Sequence, residues 1–393
     1  MNQMAATTTN RDGSQEFLKY IGFTQDAKCI SVGHNDGVMF YKTADALENT
    51  IPTPETMNDT GFTNFILIER LLSSSLFVAV SEKNPRALHV YNVHSKTAIT
   101  DLRFRKSILA VRLHKERVVM CQEDAIFIYG LKDMKLIHSI LDTPYNKHGV
   151  MDLTSNPENP TIAYPGSADT GSIHLFDAIN FASINTFVAH EGPLACLKFN
   201  HDGKMLATAS MKGTVIRVYS VPSGERLFEF RRGVSRFVTI NSLCFSADSK
   251  YLASSSNTET VHVFKLDTEL NSKQEPEEIG WFETINRTIS AYLPSQVLQV
   301  SELVTTERSF ATAKLPGTAK SNQVALVSLK GIQYVMAATS EGFVYSYRMD
   351  QEGGELDLVK QNCIGPARKK SPVFRDMPDM NSIELPPKTH TVC

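Results

Sequence analysis

The feature that most constrains the fold is a degenerate repeat, which recurs seven times along the 393 residues. In each copy, small or polar residues lead into an alternating strand-like run that closes on an aromatic residue, as in 214–219. The closing aromatics are Tyr41, Tyr91, Tyr129, Phe176, Tyr219, Phe264 and Tyr347, and successive pairs are 50, 38, 47, 43, 45 and 83 residues apart. Most of these intervals bracket the period of about 40–45 residues at which WD repeats form the four-stranded blades of a propeller. The sequence therefore predicts an all-β fold, a seven-bladed β-propeller.

The repeat is of a divergent WD type, because the only tryptophan is Trp281 and no Trp-Asp dipeptide is present. A β-sandwich is the alternative fold, but it would show evenly spaced strands without a long-period repeat. Residues 322–350 supply only part of a last blade. We therefore expect the N-terminal strand around 17–23 to complete that blade and close the ring, which would remove an exposed sheet edge.

The predicted domain organisation is a propeller at 15–350 with flanking segments and one insertion. Residues 1–14 and 351–393 are predicted to be disordered, and the second of these segments contains five of the 17 prolines. Residues 42–63 are predicted to form a polar loop between the first two blades. The last interval between closing aromatics is about one repeat too long, which places an insertion at roughly 267–308 within the sixth blade.

Composition and missing motifs exclude several classes of function. A net charge of −2 with a pI near 6.6 argues against a nucleic-acid-binding protein, so any anion site must be local. The six cysteines include no Cys-x-x-Cys pair and no histidine at zinc spacing, which predicts a reducing compartment and no structural metal. No hydrolase, metalloprotease, P-loop or dinucleotide-binding motif is present. We therefore predict a binding protein that is not an enzyme and uses no cofactor.

The stretch 227–233, Leu-Phe-Glu-Phe-Arg-Arg-Gly, is typical of a strand that ends at a glycine. Successive side chains of an extended chain point to opposite faces, so Arg231 and Arg232 are predicted to serve two separate anion sites, one on each side of the strand. Residues 198–236 carry eight Lys and Arg against three Asp and Glu, which supports a local basic surface. The alternative interpretation is a solvated charged turn, which is common where two arginines end a strand.

Several runs carry a resemblance to a known family. Residues 227–233 match the Leu-Phe-x-Phe-Arg-Arg-Gly motif of the PROPPINs, the phosphoinositide-binding propellers of autophagy. Residues 206–218 and 254–266 are similar to the WIPI subgroup almost position for position, and the resemblance extends over about 15–350. Shorter similar runs lie at 163–167, 292–297 and 352–355.

The resemblance implies binding of phosphatidylinositol 3-phosphate and phosphatidylinositol 3,5-bisphosphate through two pockets on the propeller rim. Such head groups need a guanidinium for the phosphate and small hydroxyl-bearing neighbours for the other oxygens, which agrees with the residues present. Site one would consist of His190, Thr208, Ser210, Gly213, Thr214, Arg217 and Arg231. Site two would consist of Arg232, Ser254, Ser256, Thr260 and His262.

Two alternatives remain open for these residues. His190 follows Ala189 at the Gly-His position of a WD repeat, where a histidine can be structural, and small polar residues are common at propeller turns. The whole chain could also be a generic WD-repeat scaffold that binds peptides and reads no lipid. The paired arginines and their hydroxyl-rich neighbours favour the lipid site, because a peptide scaffold does not require them together.

The resemblance also implies a cytoplasmic protein that lies peripherally on phagophore and endosomal membranes during autophagosome formation. In the WIPI subgroup, a groove between the second and third blades recruits the machinery that lipidates the ubiquitin-like autophagy proteins. Arg112 matches the basic residue of that groove. The alternative is that Arg112 is an exposed arginine in a strand, which needs no functional explanation.

The insertion at 267–308 is predicted to contain a short amphipathic helix that dips into the bilayer. Apolar residues recur at close to helical spacing, and no charged residue lies between 288 and 301. The residues predicted to enter the membrane are Trp281, Phe282, Ile289, Tyr292 and Leu293. The alternative is a blade insertion whose apolar residues pack back on the propeller.

Overall fold

The structure is a computed structural model, and it describes residues 18–49, 52–58, 61, 63–232, 237–267, 309–317 and 319–365. These residues form seven sheets, which are the blades of a propeller numbered here in chain order. Blade 1 consists of β1 (Leu18–Phe23), β2 (Cys29–His34), β3 (Gly37–Lys42) and β4 (Glu55–Asn58), and blade 2 of β5 (Phe65–Arg70), β6 (Leu76–Ser81), β7 (Asn84–Asn92) and β8 (Thr97–Arg103). Blade 3 consists of β9 (Ala110–Leu113), β10 (Arg117–Cys121), β11 (Ala125–Gly130) and β12 (Leu136–Leu141), and blade 4 of β13 (Asp152–Leu153), β14 (Thr161–Pro165), β15 (Gly171–Asp177) and β16 (Ala182–His190). Blade 5 consists of β17 (Leu194–Phe199), β18 (Met205–Ser210), β19 (Val215–Ser220) and β20 (Arg226–Arg231), and blade 6 begins with β21 (Ile240–Phe245), β22 (Tyr251–Ser256), β23 (Thr260–Lys265) and β24 (Ala311–Lys314). Blade 7 consists of β25 (Asn322–Leu329), β26 (Ile332–Thr339), β27 (Phe343–Met349) and β29 (Leu358–Cys363), while β28 (Gly354–Glu355) joins the sheet of blade 6.

Each blade is built from four antiparallel strands, and blade 6 carries β28 as a fifth, so the predicted seven-bladed propeller is confirmed. All seven closing aromatics lie in the third strand of their blade, which explains why they mark the repeat. In blades 2, 3, 4, 5 and 7 the fourth strand bulges opposite this aromatic. One residue of the fourth strand is skipped in the pairing each time, and the bulge changes which side chains face which neighbouring blade.

The blades are held together by apolar side chains that interlock between neighbouring sheets. At the junction of blades 5 and 6, Phe230 lies with its ring centroid 4.7 Å from that of Phe264 in a stacked arrangement. Phe228 and Phe230 are both buried there, with Ile216 and Val238 in the same cluster. The phenylalanines of the 227–233 motif are therefore core residues, and they fix the strand whose end carries the two arginines.

The prediction that the N-terminal strand completes the last blade is wrong. Strand β1 pairs with β2 as the first strand of blade 1, and blade 7 is completed by its own strand β29. The ring closes by packing of blade 7 against blade 1, where Ile21 and Tyr41 share a buried cluster with Met336 and Val344. Hydrogen bonds reinforce this contact, because the Gly365 N–H donates to the Tyr41 hydroxyl at 3.0 Å.

The predicted end of the propeller at residue 350 is too early, because β28 and β29 follow it. Strand β28 pairs in parallel with β24, so the chain reaches back to the outer edge of blade 6 before it finishes blade 7. Gly353 makes this detour possible: its φ is +72°, and a Cβ there would lie 2.3 Å from the Phe310 carbonyl oxygen. Residues 366–393 lie outside the described residues. The sequence-based boundary failed because a short strand with exposed polar residues lacks an apolar pattern.

Two interruptions of the repeat occupy definite places in the topology. The predicted polar loop at 42–63 contains a short helix, α1 (Thr43–Glu48), and strand β4, which is the fourth strand of blade 1. The predicted insertion falls between β23 and β24, which pair with each other as the third and fourth strands of blade 6. Among the described residues, no helix has the length and apolarity to cross a membrane.

Candidate functional site

The strand register divides the two arginines as the sequence predicts. Arg231 lies opposite Val215, and Glu229 lies opposite Arg217, so these side chains share the face of blade 5 that looks toward blade 4. The next residue, Arg232, reaches the other way: its Nη2 donates to the Thr258 hydroxyl of blade 6 at 2.5 Å. Arg231 and Arg232 therefore belong to two different blade junctions.

Predicted site one lies at the junction of blades 4 and 5. His190, at the end of β16, places Nε2 2.9 Å from the Thr208 hydroxyl, and that hydroxyl donates to the Arg217 carbonyl oxygen at 3.2 Å. Burial, with the Arg217 charge as a second cause, lowers the pKa of His190 to about 4. The imidazole is therefore neutral near pH 7 and acts here as a hydrogen-bonding group.

The guanidinium of Arg217 is already occupied within the protein. Its Nε donates to the Glu229 carboxylate at 2.7 Å, and its Nη1 donates to the Ala189 carbonyl oxygen at 2.6 Å. Arg226 also donates to the same Glu229 oxygen at 2.9 Å. Arg217 is therefore placed in site one as predicted, but a phosphate would have to compete with Glu229 for it.

The turn between β18 and β19 supplies the remaining residues of site one. The Gly213 N–H donates to the Ser210 carbonyl oxygen at 2.9 Å, and the Thr214 carbonyl oxygen accepts a bond from the Arg232 N–H at 3.1 Å. Gly213 has a φ of +64°, and a Cβ there would lie 1.9 Å from the Val238 carbonyl oxygen. Position 213 therefore requires a glycine because blade 6 approaches closely, independently of any contact that Gly213 makes with a ligand.

Predicted site two lies at the junction of blades 5 and 6 and repeats the layout of site one. Ser254 pairs with His262 across β22 and β23, just as Thr208 pairs with Arg217 across β18 and β19. The Ser254 hydroxyl and His262 Nδ1 are buried, and neither has a hydrogen-bond partner among the described residues. Buried polar groups in native proteins are nearly always paired with protein atoms or with water, so these two groups are available to a water molecule or to a ligand.

Two further features complete site two. The Ser256 hydroxyl lies 3.0 Å from the Thr258 hydroxyl, which links Ser256 to Arg232 through Thr258. Burial, reinforced by the Arg232 charge, lowers the pKa of His262 to about 4, so this imidazole is also neutral near pH 7. Thr260 begins β23 beside this cluster. Site two is thus a pocket of neutral hydrogen-bonding groups around one guanidinium.

Sequence reasoning missed two residues of these sites. Thr258 contacts Arg232 directly, and its hydroxyl within the Asn-Thr-Glu-Thr run was the available signal. Glu229 lies inside the motif itself, and its position two residues before Arg231 already places it on the site-one face. It was overlooked because an acidic residue is not expected among phosphate ligands.

The structure does not present Arg112 as a free basic residue. Arg112 lies on β9, the first strand of blade 3, where its Nε donates to Asp152 at 3.0 Å and its Nη1 lies 4.0 Å from Glu69. Lys198 lies 3.5 Å from the same Asp152. Arg112 is thus a partly exposed strand arginine whose charge is already paired with carboxylates from blades 2 and 4.

The remaining predicted residues fall outside this description. The membrane-entering residues Trp281, Phe282, Ile289, Tyr292 and Leu293, and the glycine that ends the motif, Gly233, lie outside the described residues. Among the described residues, no group of three or more His, Cys, Asp and Glu side chains is arranged to hold a metal ion.

The fold defines a class, a seven-bladed propeller, and the described residues of the two predicted sites lie at adjacent blade junctions. The chain belongs to the PROPPIN family, whose model matches residues 17–364. It is 65% identical over 369 residues to Autophagy-related protein 18 of Caenorhabditis elegans, covering 92% of this chain and 89% of the relative.

Two more comparisons agree with this family. The chain is 41% identical over 361 residues to WD repeat domain phosphoinositide-interacting protein 2 of Gallus gallus, which covers 90% of this chain and 80% of the relative. A solved structure, the complex of KlAtg21 with the coiled coil of AgAtg16, matches with a TM-score of 0.69 and 24% identity, over 88% of this chain and 99% of the solved chain. At that identity, the solved structure supports the fold alone.

Proposed function

We propose that this protein binds phosphatidylinositol 3-phosphate and phosphatidylinositol 3,5-bisphosphate through sites one and two, and that it recruits autophagy machinery to phagophore and endosomal membranes. The observation that carries the proposal is the pocket at site two. There, a guanidinium lies beside two buried groups, the Ser254 hydroxyl and His262 Nδ1, that have no partner among the described residues. A phosphate with several acceptor oxygens satisfies all of these groups at once.

The proposed chemistry assigns each residue a simple task. Arg232 binds the phosphate by charge-assisted hydrogen bonds, while Ser254, Thr258 and His262 donate to its oxygens or to ring hydroxyls of the inositol. Arg231 does the same for a second head group at site one. The names of the relatives support this assignment, since those at about 40% identity are called phosphoinositide-interacting proteins. The competing hypothesis is a WD-repeat scaffold without lipid readout.

Liposome flotation tests the proposal. We expect Arg231→Ala with Arg232→Ala to abolish flotation with phosphatidylinositol 3-phosphate vesicles, because each arginine supplies charge-assisted bonds of roughly 1.5–3 kcal/mol. A matched control is Lys204→Ala with Lys250→Ala, which removes two exposed charges from the same blades at turns remote from the pockets. Wild-type flotation by the arginine variant, with both chains folded by circular dichroism, would favour the scaffold hypothesis.

We also propose that the insertion enters the bilayer. It leaves and re-enters blade 6 between β23 and β24, the blade that carries His262 and Thr260. An interfacial segment and a shallow pocket on one rigid edge each raise the effective concentration of the other at the membrane. Replacing Trp281, Phe282 and Leu293 by serine should therefore weaken liposome binding sharply and leave affinity for soluble inositol phosphate unchanged. Unchanged liposome binding, or a loss of soluble affinity, would contradict this mechanism.

The last part of the proposal is recruitment of a protein of the autophagy conjugation machinery, with Arg112 in its groove. The proposal takes its kind of partner from KlAtg21, whose solved structure is a complex with the coiled coil of AgAtg16. Charge reversal is a poor test, because a glutamate at 112 would add a third carboxylate beside Glu69 and Asp152. We expect Arg112→Gln to lose the partner in a pull-down and to keep lipid binding. If a folded Arg112→Gln chain still binds the partner, Arg112 is not part of the partner-binding groove.

A further inference from the structure

One carboxylate lies inside predicted site one, where a phosphate-binding pocket would ordinarily exclude negative charge. Glu229 accepts hydrogen bonds from Arg217 at 2.7 Å and from Arg226 at 2.9 Å, both through the same carboxylate oxygen. Its side chain is 25% exposed, and that of Arg217 is 24% exposed. The pair is therefore accessible to a ligand from solvent, although it belongs to the pocket.

A bulge in β20 brings the second arginine to this carboxylate. In a regular strand, residues three apart point to opposite faces, which would keep Arg226 away from Glu229. The register shows that Tyr219 pairs with Arg226 while Val218 pairs with Phe228, so Leu227 is skipped. This shift returns Arg226 to the side of Glu229. Arg226 is 55% exposed, so it can hold the carboxylate at the outer edge of the pocket.

Among the residues that the structure describes, site two has no carboxylate paired with its third-strand residue. At the position of Arg217 it has His262, and the residue opposite His262 on the fourth strand is Thr312. Both are uncharged near pH 7, since the pKa of His262 is lowered to about 4 by burial and by the Arg232 charge. The two sites share a layout, but within the described part of the chain a carboxylate lies between two arginines in site one and not in site two.

We propose that Glu229 is a specificity-determining residue of site one, where it competes with the incoming phosphate for Arg217. A ligand must displace the carboxylate, which then remains with Arg226. A phosphate monoester carries a charge of about −1.5 to −2 near pH 7, whereas the phosphodiester of an ordinary phospholipid carries one charge. Every incoming anion must break the Arg217–Glu229 pair, and a monoester, with its larger charge, regains more of that cost from the arginines than a diester does, so the competing carboxylate favours monoesters. This inference rests on the proposed function and adds to it how site one selects its head group.

The test isolates site one in an Arg232→Ala background and measures binding by calorimetry. The probes are inositol 1,3-bisphosphate, which carries two phosphomonoesters and no diester, and glycerophosphoinositol, which carries only the diester. We expect Glu229→Gln to tighten binding of inositol 1,3-bisphosphate about tenfold, the factor that corresponds to about 1.4 kcal/mol. We also expect it to produce measurable binding of glycerophosphoinositol, which the parent lacks.

The matched control is Glu225→Gln, which makes the same change of charge at an exposed position of the same hairpin. Glu225 has no ion pair with Arg217 or Arg226 among the described contacts. It should change either affinity by less than about twofold, since exposed charges are screened by solvent and salt. Equal tightening by Glu225→Gln and Glu229→Gln would overturn the inference, because the effect would then be one of net charge.

A double-mutant cycle with Arg226 protects the test against a simple loss of structure. If Arg226 acts by holding the displaced carboxylate, Arg226→Gln weakens inositol 1,3-bisphosphate binding in the chain that keeps Glu229. The same Arg226→Gln change has no effect in the Glu229→Gln background. Weaker binding by Glu229→Gln would overturn the inference and make Glu229 a residue that positions Arg217. Absence of binding by the wild-type chain to either probe or to vesicles would instead reject the proposed function itself.

Discussion

Site one and site two occupy neighbouring blade junctions and use the same strand positions, yet their charges are arranged differently. In site one, the third strand supplies Arg217, and the fourth strand supplies Glu229 to neutralise it. In site two, the third strand supplies the neutral His262, and the positive charge comes from Arg232 at the end of the preceding blade. Site one is thus internally satisfied, whereas site two keeps buried groups without a described partner.

This difference shows that a repeat can reproduce the strand positions of a site without reproducing the pairing of its charged and polar groups. The fold fixes the opposed positions on the third and fourth strands, and the residues there, Arg217 with Glu229 or His262 with Thr312, decide whether the site carries its own counter-ion. We therefore expect site two to dominate head-group affinity and site one to contribute selectivity. The following predictions address this contrast, from the largest expected effect to the smallest.

The first prediction concerns the backbone that joins the two sites. Gly213→Ala should lower the free energy of unfolding by about 2–4 kcal/mol, because the residue has φ +64° and a Cβ would lie 1.9 Å from the Val238 carbonyl oxygen at the start of blade 6. Both sites should weaken together. Urea denaturation measures this change, and Gly192→Ala is the control, since a Cβ there meets no atom within 4 Å. Similar stability of the two variants would contradict the tight contact.

The second prediction separates the sites by single substitutions. Arg232→Ala should reduce affinity for soluble inositol 1,3-bisphosphate by roughly 10-fold to 100-fold, which corresponds to charge-assisted bonds of about 1.5–3 kcal/mol. Arg231→Ala should cause the smaller loss, because site one already contains the competing Glu229 carboxylate. Calorimetric titration measures both. Equal losses, or a larger loss for Arg231→Ala, would reverse the ranking of the two sites.

The third prediction concerns pH and the buried histidine of site one. The folded pKa of His190 is lowered from 6.5 to about 4, so the unfolded chain binds a proton more readily between these values. The stability that the neutral His190 contributes is therefore fully present above pH 6.5 and is lost as the pH falls toward 4. At pH 5.5 the loss from this residue is about 1.4 kcal/mol.

His190→Gln should remove this share of the acid sensitivity while keeping a hydrogen bond to Thr208. Urea denaturation at pH 7.5 and 5.5 gives the change in the free energy of unfolding between these two pH values for the wild type and for the variant. The difference between the two changes is the share that His190 contributes. The exposed His201→Gln is the control and should leave the slope unchanged. An unaltered slope in His190→Gln would show that this imidazole is not kept neutral by burial.

Sequence reasoning succeeded where a pattern is repeated along the chain or follows from strand alternation. The seven closing aromatics predicted seven blades, and the adjacent positions of Arg231 and Arg232 predicted two separate junctions. It failed where an element lacks such a pattern. The residues of strand β29 are mostly exposed, whether apolar or polar, and β4 follows a proline-containing loop, so neither has the apolar alternation by which a strand is recognised.

The sequence by itself determined the number of blades, the alternation that divides the arginines and the residue types in each pocket, because these depend on local periodicity. Only the tertiary structure decided how the ring closes, which cations are already paired and which buried groups remain unsatisfied. Arg112 and Arg217 look equally available in the sequence, but each meets a carboxylate from a neighbouring strand or blade. Such contacts join residues 12 to 40 positions apart, and local periodicity carries no information about them.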